Sequence, residues 1–422
     1  MLSCALKVLT QLLMKSKAPE NKKFDNTRNL NIPNHLLTIL RGLLKVEGGK
    51  GFIELVSDIT KLVGLLSKAS FHKNFGIEMV YVRSFVPVMP LLVRAAAAGS
   101  DPAYQSFAVN LLRTTGIFAN NASANHIRSF SFYKDLVEKR FIQECMALTK
   151  TFEDHAPVLK LFVQVFSALM HPVYGDIECF PWRRDSTAGI QEYKECATML
   201  ECVRQTVINS LLEANCAALF EKILALEDEG ALLPKISVCR ITLQAIRQSK
   251  EFTEYLLFQE KNVLKHVLLA VGSGDQVVFA TACQILSQLG RFCREKKREK
   301  QLEAQVLPVL PLLLARLRDG KGVLGVFGAV GVLQELVSLE GGFFGRIAEE
   351  VEERGCLKAL VEFLGGSASN KLEEMRKIEG SNYGIHAVGL YDPLFLFLHR
   401  LLLRLQRELP RKHEELLRAM RE

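Results

Sequence analysis

Long apolar runs are missing from this chain of 422 residues, although 49% of its residues are hydrophobic and its mean hydropathy is +0.13. The longest stretches without a charged residue, such as 161–175 and 276–290, are shorter than the about 20 apolar residues of a membrane-spanning helix. We therefore predict no transmembrane segment. The length corresponds to about three domains of roughly 150 residues each, which is enough to bury an extensive core.

Closely spaced metal ligands are also missing. The ten cysteines include no C-x-x-C pair, Cys196 and Cys202 are six residues apart and do not share a helix face, and the nine histidines are dispersed without an H-E-x-x-H motif. These patterns exclude the common zinc sites, and we predict no metal and no other cofactor. Because the start of the chain lacks the features of a secretory signal, we expect reduced thiols and a cytoplasmic protein.

The motifs of nucleophilic and nucleotide chemistry are absent, since the chain has no G-x-S-x-G elbow and no P-loop. Gly320, Gly322 and Gly325 match G-x-G-x-x-G, but a helical pattern precedes them where a dinucleotide site needs a strand. The other motifs of a protein kinase do not follow. We interpret Gly325, Gly328 and Gly331 as one helix face in close contact with a neighbouring helix. The sequence thus predicts no catalytic residue.

The sequence does contain one pattern of capping, apolar and glycine residues that occurs twice. "GSDPAYQSFAVNLLRTTG" begins at residue 99, and "GSGDQVVFATACQILSQLG" begins at residue 272. Each copy opens with an aspartate suited to cap a helix, continues with apolar residues at helical spacing, and ends in a glycine that permits a break or a close contact. At a constant offset of 174 the matching pairs are Asp101 and Asp275, Ala108 and Ala282, Leu112 and Leu286, and Gly116 and Gly290.

The spacing of the loop signals indicates a repeat. Turn-forming segments fall near residues 231, 275, 319 and 366, which are 44, 44 and 47 residues apart, and the offset of 174 divides by four to 43.5. This period resembles that of armadillo and HEAT repeats, which have about 40–47 residues in two or three helices. The resemblance implies an all-α fold, a right-handed α-solenoid of armadillo/HEAT-like repeats. The alternative is a non-repetitive all-α bundle.

The helical patterns and the polar interruptions predict the organisation of the chain. We expect an N-terminal helix at 1–15, for which a mitochondrial presequence is the alternative, and a polar linker or loop at 16–34. The helical-repeat domain then extends over 35–422. A long loop at 171–189 interrupts it, and a capping helix at about 391–420 closes it.

The segment "EGSNYGIHAVGLYDPLFLFL", about Gly380 to Leu398, is similar to part of the C-terminal helical-repeat region of Fused-type serine/threonine kinases. Such regions are regulatory and scaffolding arms. The resemblance implies an alternative function, the regulatory arm of a kinase whose catalytic domain is not in this chain, with a cytoskeletal or ciliary location. In the same predicted helix, Arg400, Arg404 and Arg407 are expected to form the polar outer face of the closing repeat.

Two basic segments are candidate partner-binding sites in a chain whose net charge of +8 permits an acidic partner. One is the loop sequence Trp182, Arg183 and Arg184, typical of an interaction hot spot, although the tryptophan could instead pack on its own repeat. The other is "RFCREKKREK" at 291–300, which we interpret either as an anion-binding patch for RNA, phospholipid or an acidic peptide or as a solvated turn with helical ion pairs. Its candidate residues are Arg291, Arg294, Lys296, Lys297 and Arg298.

These observations together predict a non-catalytic scaffold. Stacked repeats form an extended concave surface suited to a peptide or helix of another protein. The run at 291–300 lacks the set of aromatic side chains on which bases stack, so we do not expect nucleic acid to bind. The hypothesis is therefore a protein partner on the concave face of the solenoid.

Overall fold

The structure is a computed structural model, and it describes residues 32–44, 50–71, 85–124, 130–170, 187–258, 264–319, 322–339, 343–353, 356–365 and 392–419. All regular structure in these ranges is helical and no strand occurs in them, which confirms the all-α class. The predicted helix at 1–15 and most of the predicted linker at 16–34 lie outside the described residues. So does most of the predicted loop at 171–189.

The chain divides into two compact units, Met1–Leu219 and Phe220–Glu422. The helices of the first unit are α1 (Ile32–Leu43), α2 (Lys50–Phe71), α3 (Met89–Ala97), α4 (Pro102–Ala124), α5 (Phe130–Glu138), α6 (Phe141–Thr151), α7 (Ala156–Met170) and α8 (Thr187–Glu213).

The division falls within α9 (Ala217–Leu224). The second unit continues with α10 (Leu232–Gln248), α11 (Lys250–Phe258), α12 (Lys265–Val271), α13 (Gln276–Lys296), α14 (Glu299–Val306), α15 (Leu310–Asp319), α16 (Val323–Val337), α17 (Phe343–Glu353), α18 (Cys356–Gly365), α19 (Asp392–Glu408) and α20 (Pro410–Ala419).

The two copies of the sequence pattern form equivalent helices, α4 and α13. Asp101 Oδ1 accepts hydrogen bonds from the backbone N–H of Ala103 at 2.8 Å and of Tyr104 at 3.4 Å. Asp275 Oδ1 accepts from Val277 and Val278 at 2.9 and 3.0 Å. Each aspartate thereby satisfies N–H groups that have no partner inside the helix. The alanine and leucine of each copy are buried, as their helical spacing predicted: Ala108, Leu112, Ala282 and Leu286.

Successive long helices pack side by side within each unit. In the first unit α2 packs on α4, and α4 packs on α7. In the second unit α10, α13, α16 and α19 pack in that order, and we call these four helices the main row. A second series runs beside the main row, where α15 packs on α16 and on α18. Each helix therefore covers its apolar stripe with helices from neighbouring segments of the sequence.

Hydrogen bonds also connect neighbouring helices within each unit. In the first unit, Thr114 Oγ1 of α4 donates to the carbonyl of Thr60 in α2 at 3.0 Å, a separation of 54 residues. In the second unit, Arg316 Nη2 of α15 donates to the carbonyl of Ser273 at 2.8 Å, a separation of 43 residues. The separation in the second unit is close to the period in the sequence, whereas the separation in the first unit is longer.

The proline pair at Pro308 and Pro311 divides two helices, as the sequence indicated, and the pair at Pro87 and Pro90 lies at the start of a helix. Pro308 lies in a 3₁₀ turn, Leu307–Val309, between α14 and α15, and Pro87 lies in a 3₁₀ turn, Val86–Val88, directly before α3. Proline has no N–H to donate to the preceding turn. The turn at Pro308 therefore separates α14 from α15, with helical backbone on both sides.

Glycines allow close approach at some helix contacts but not at all that were predicted. A Cβ atom added to Gly328 would lie 3.1 Å from Ala280 Cα and 3.3 Å from Cys283 Cβ of α13. The same addition at Gly325 or Gly331 would meet no neighbouring heavy atom within 4 Å. The predicted glycine contact face is therefore confirmed for Gly328 and wrong for Gly325 and Gly331, which share its spacing but do not face α13.

Two alanine substitutions, one helical turn apart in α16, test this difference. Gly331→Ala is expected to stabilise the protein by about 0.5–1 kcal/mol, because glycine loses more backbone entropy on folding than alanine. Gly328→Ala is expected to be at least about 1 kcal/mol less favourable than Gly331→Ala, because its methyl group presses on the backbone of α13. Urea denaturation of both variants measures the difference, and equal stabilisation by the two would contradict the contact.

Candidate functional site

Helix α16 contains a single charged residue, and that residue is buried. The sequence VLGVFGAVGVLQELV is apolar on all sides, as expected for a helix packed between α13 on one side and α19 on the other. Its only charge is Glu335, whose side chain is 4% exposed. A carboxylate in such a position needs oppositely charged partners, and three arginines provide them.

The carboxylate of Glu335 lies among guanidinium groups from two helices. Arg291 Nε of α13 donates to Oε1 at 3.1 Å. Arg294 Nη1, also of α13, lies 3.2 Å from Oε2, but no hydrogen bond reaches that oxygen. Arg400 Nη1 of α19 lies 3.8 Å from Oε1. We call Glu335, Arg291, Arg294 and Arg400 the arginine cluster.

A glycine in the repeated pattern permits this arrangement. A Cβ atom added to Gly290 would lie 3.4 Å from Glu335 Cβ, so α13 and α16 are in close contact at this point. Arg291 follows Gly290 directly, and Arg294 is three residues further on, on the same side of the helix. The contact between the helix backbones therefore places both guanidinium groups beside the carboxylate.

The cluster carries an excess of positive charge at the surface. Three guanidinium groups and one carboxylate give a net charge of +2. The arginine side chains of the cluster are 50%, 40% and 35% exposed for Arg291, Arg294 and Arg400. The negative group is thus inside and the positive groups face outward, which produces a fixed patch of positive potential.

Helix α19 is attached to the C-terminal end of α16 by two arginines. Arg400 Nη1 donates to Ser338 Oγ at 3.1 Å and to the carbonyl of Gln334 at 3.4 Å. Arg404 Nη1 donates to the carbonyls of Val337 and Leu339 at 2.6 and 2.5 Å. Carbonyl groups at a helix C-terminus have no partner within the helix and carry partial negative charge, so both arginines satisfy and stabilise this end.

The inward role of these arginines differs from the sequence-based expectation. Arg400 and Arg404 were expected on the outer face of the closing helix, and that expectation is wrong for these two residues, whose head groups contact α16. The guanidinium of Arg404 also lies over the ring of Phe344, 4.5 Å from its centroid, which is a favourable cation–π geometry. Arg407 is exposed, as expected.

The candidate binding residues of the sequence analysis have different positions. Arg291 and Arg294 belong to the arginine cluster. Lys296, Lys297 and Arg298 are exposed at the end of α13, where Lys297 has the left-handed φ of 53° typical of a helix C-terminus. Lys296 Nζ lies 6.0 Å from the ring centroid of Phe292.

The structure does not describe all of the predicted binding residues, and the sequence did not predict all members of the arginine cluster. Trp182, Arg183 and Arg184 lie outside the described residues. Sequence reasoning did not find Glu335 or Arg400. The available signal for Glu335 was a lone acid in an apolar helix of 15 residues, which indicates a partner of opposite charge. Arg400 had no such signal, because its partner lies 65 residues earlier in the chain.

The described part of the chain shows buried thiols and no metal-binding cluster. Burial raises the pKa of Cys216 and of Cys239 to about 12. Burial also raises the pKa of Cys145 and of Cys283. Thiols with such pKa values are hardly ionised at neutral pH and are poor nucleophiles. No group of three or more His, Cys, Asp or Glu side chains among the described residues could hold a metal ion.

Within the described ranges, every helix is too short or too polar to cross a membrane. No family model matches the chain, and no curated protein matches its sequence. The resemblances to armadillo/HEAT repeats and to Fused-type kinases therefore stay predictions. Most of the segment from Gly380 to Leu398 lies outside the described residues.

The energetic coupling in the arginine cluster is testable by a double-mutant cycle. Arg294→Ala is expected to destabilise the wild type more than the Glu335→Gln variant, with a coupling energy of about 0.5–3 kcal/mol, because the substitution leaves a buried carboxylate short of a partner. The matched control is Arg318→Ala with Asp319→Asn, an ion pair of half-exposed groups, whose coupling should be at most about 1 kcal/mol. Urea denaturation measures both, and similar couplings would contradict the role of burial.

Thiol labelling tests whether the cysteine thiols are buried and have raised pKa values. In the native protein, N-ethylmaleimide is expected to modify the exposed Cys202 at least about tenfold faster than Cys216, Cys239 or Cys283, whose thiols are buried and protonated. In urea the rates should become similar. Peptide mass spectrometry at several times measures each site separately. Rapid native modification of Cys239 would show that its thiol is neither buried nor raised in pKa.

Proposed function

We propose that the chain is a non-catalytic protein-interaction scaffold, built as a right-handed α-solenoid of armadillo/HEAT-like repeats, which binds a protein partner along its concave face. The observation that carries this proposal is the register of the hydrogen bonds within each unit. Several of them connect residues 42 to 54 positions apart, as in Thr114 with Thr60 and Cys356 with Leu314. Such a register is typical of stacked helical repeats.

Stacked repeats present equivalent side chains at regular intervals. Arg247 of α10 and Arg291 of α13 each lie sixteen residues after the residue that precedes their helix, Ala231 and Asp275. Both arginines are exposed. A surface that repeats the same chemistry from helix to helix suits an elongated segment of a partner, which is a common mode of peptide recognition by helical repeats.

The partner is proposed to bind in the cytoplasm. In the described part of the chain, the structure gives a state for seven cysteines, none of which is in a disulfide, and six of them are buried. Free thiols are typical of proteins in a reducing compartment. No cofactor forms part of the proposal.

Site-specific photocrosslinking tests the proposed binding surface. A benzophenone amino acid at the half-buried Gln244 or Gln288 of the main row is expected to crosslink one and the same protein in cells, identified by mass spectrometry. The matched control is the same residue at Leu312 of α15, which is 45% exposed and lies outside the main row. The absence of a common product from the two row positions, or an equal yield from Leu312, would refute a partner bound along the row.

A further inference from the structure

The arginine cluster has hydrogen-bond donors that the protein does not use. A guanidinium has five N–H donors. Arg291 donates to Glu335 only through Nε, and Arg294 approaches the carboxylate only through Nη1. Within the described part of the chain, the two terminal nitrogens of Arg291 donate no hydrogen bond. Both side chains are about half exposed, so these donors are available to a ligand at the surface.

The guanidinium groups are also held in place before any ligand binds. Glu335 holds Arg291 and Arg294 from below, and Arg400 is held by Ser338 Oγ and the carbonyl of Gln334. An arginine that is already ordered loses less side-chain entropy on binding than a free one. The buried carboxylate therefore positions the arginines while the cluster retains its net charge of +2.

The positive charge extends along the main row. Arg247 holds the position on α10 that Arg291 holds on α13, and it is exposed without a hydrogen bond or ion pair in the described part of the chain. Packed helices have axes about 8–10 Å apart, so we expect Arg247 and Arg291 to be separated by about one such interval. In a polyproline II segment, side chains three residues apart point the same way and are about 9 Å apart. Two carboxylates three residues apart therefore match the expected spacing of Arg247 and Arg291, and Arg294 and Arg400 lie beside Arg291 around Glu335.

The chemistry favours a carboxylate ligand on a peptide. Arginine forks bind carboxylates through two parallel hydrogen bonds. Single-stranded nucleic acid would need exposed aromatic rings for its bases, whereas Phe292, the ring in the basic segment, is half-buried and lies beneath Lys296.

We infer that Arg247, Arg291, Arg294 and Arg400 bind an extended acidic segment of the partner protein, with Asp or Glu at every third residue. The inference rests on the proposed scaffold function and names the chemistry of its partner. Glu335 is a positioning residue in this site, because it orders Arg291 and Arg294 from below. The carboxylates of the bound segment would take the donors that Glu335 leaves unused.

Fluorescence anisotropy with the purified full chain tests the inference. The probe is a fluorescein-labelled nonapeptide with Glu at positions 1, 4 and 7, and the control peptides carry Gln at these positions or place the three Glu residues consecutively. We expect binding of the probe that weakens with added KCl, weaker binding of the consecutive arrangement, and no binding of the Gln peptide. Equal binding of the two acidic peptides would overturn the spacing.

Three variants localise the site. Arg247→Gln is expected to weaken binding about tenfold, since a hydrogen bond to a charged group is lost. Arg291→Gln combined with Glu335→Gln should have a similar effect. The two substitutions are combined because Arg291→Gln alone would leave the buried Glu335 carboxylate without one of its charged partners. The matched control Arg318→Gln removes the same charge from α15 and should change the affinity less than about twofold. Circular dichroism verifies that each variant is folded.

Several outcomes would overturn the inference. They are the absence of probe binding by the wild type, an equal loss with Arg318→Gln, and tighter binding to phosphatidylserine vesicles or to a single-stranded oligonucleotide than to the acidic peptide. If Gln244 and Gln288 still crosslink a common partner in that case, the scaffold proposal stands and only its acidic chemistry is wrong. If neither position crosslinks a partner, the scaffold proposal itself fails.

Discussion

No helix in this protein can bury its apolar surface by itself, and the packing of each unit follows from that constraint. Helix α16 is the extreme case, because its residues are apolar on nearly every side and it is covered by α13, α15 and α19. A helix of 15 residues would be marginal in water alone. Its stability comes from the packing of α13, α15 and α19, which lie earlier and later in the sequence.

The same constraint explains which features could be predicted. The aspartate caps, the buried alanine and leucine positions and the helix boundary at Pro308 depend on residues close in sequence, and all of them are found where the pattern placed them. The contact face of the glycines in α16 was only partly predictable. Helical periodicity shows which residues share a face, but it does not show which face meets the next helix, and only Gly328 meets α13.

The arginine cluster was predictable only in its local part. The basic run that contains Arg291 and Arg294 is visible in the sequence, but their shared partner lies 44 residues beyond Arg291, and Arg400 lies 65 residues beyond that partner. Pairing over such distances depends on the packing register, which the close contact at Gly290 sets. The basic run therefore contains two kinds of side chain. Arg291 and Arg294 contact Glu335, and the basic residues at 296–298 are exposed at the end of the helix.

The hydrogen bonds between neighbouring segments have a consequence for the history of the chain. Three of these bonds, Thr114 with Thr60, Arg316 with Ser273 and Cys356 with Leu314, join positions 42 to 54 residues apart, so each connects a segment with a neighbouring one. A gene duplication or deletion of one whole period would supply or remove a segment together with both surfaces it needs, and would leave the flanking partners compatible. An insertion of half a period would offer no such match. The proposed repeat architecture would therefore lengthen or shorten in whole segments, and its length would evolve separately from the chemistry at any one position.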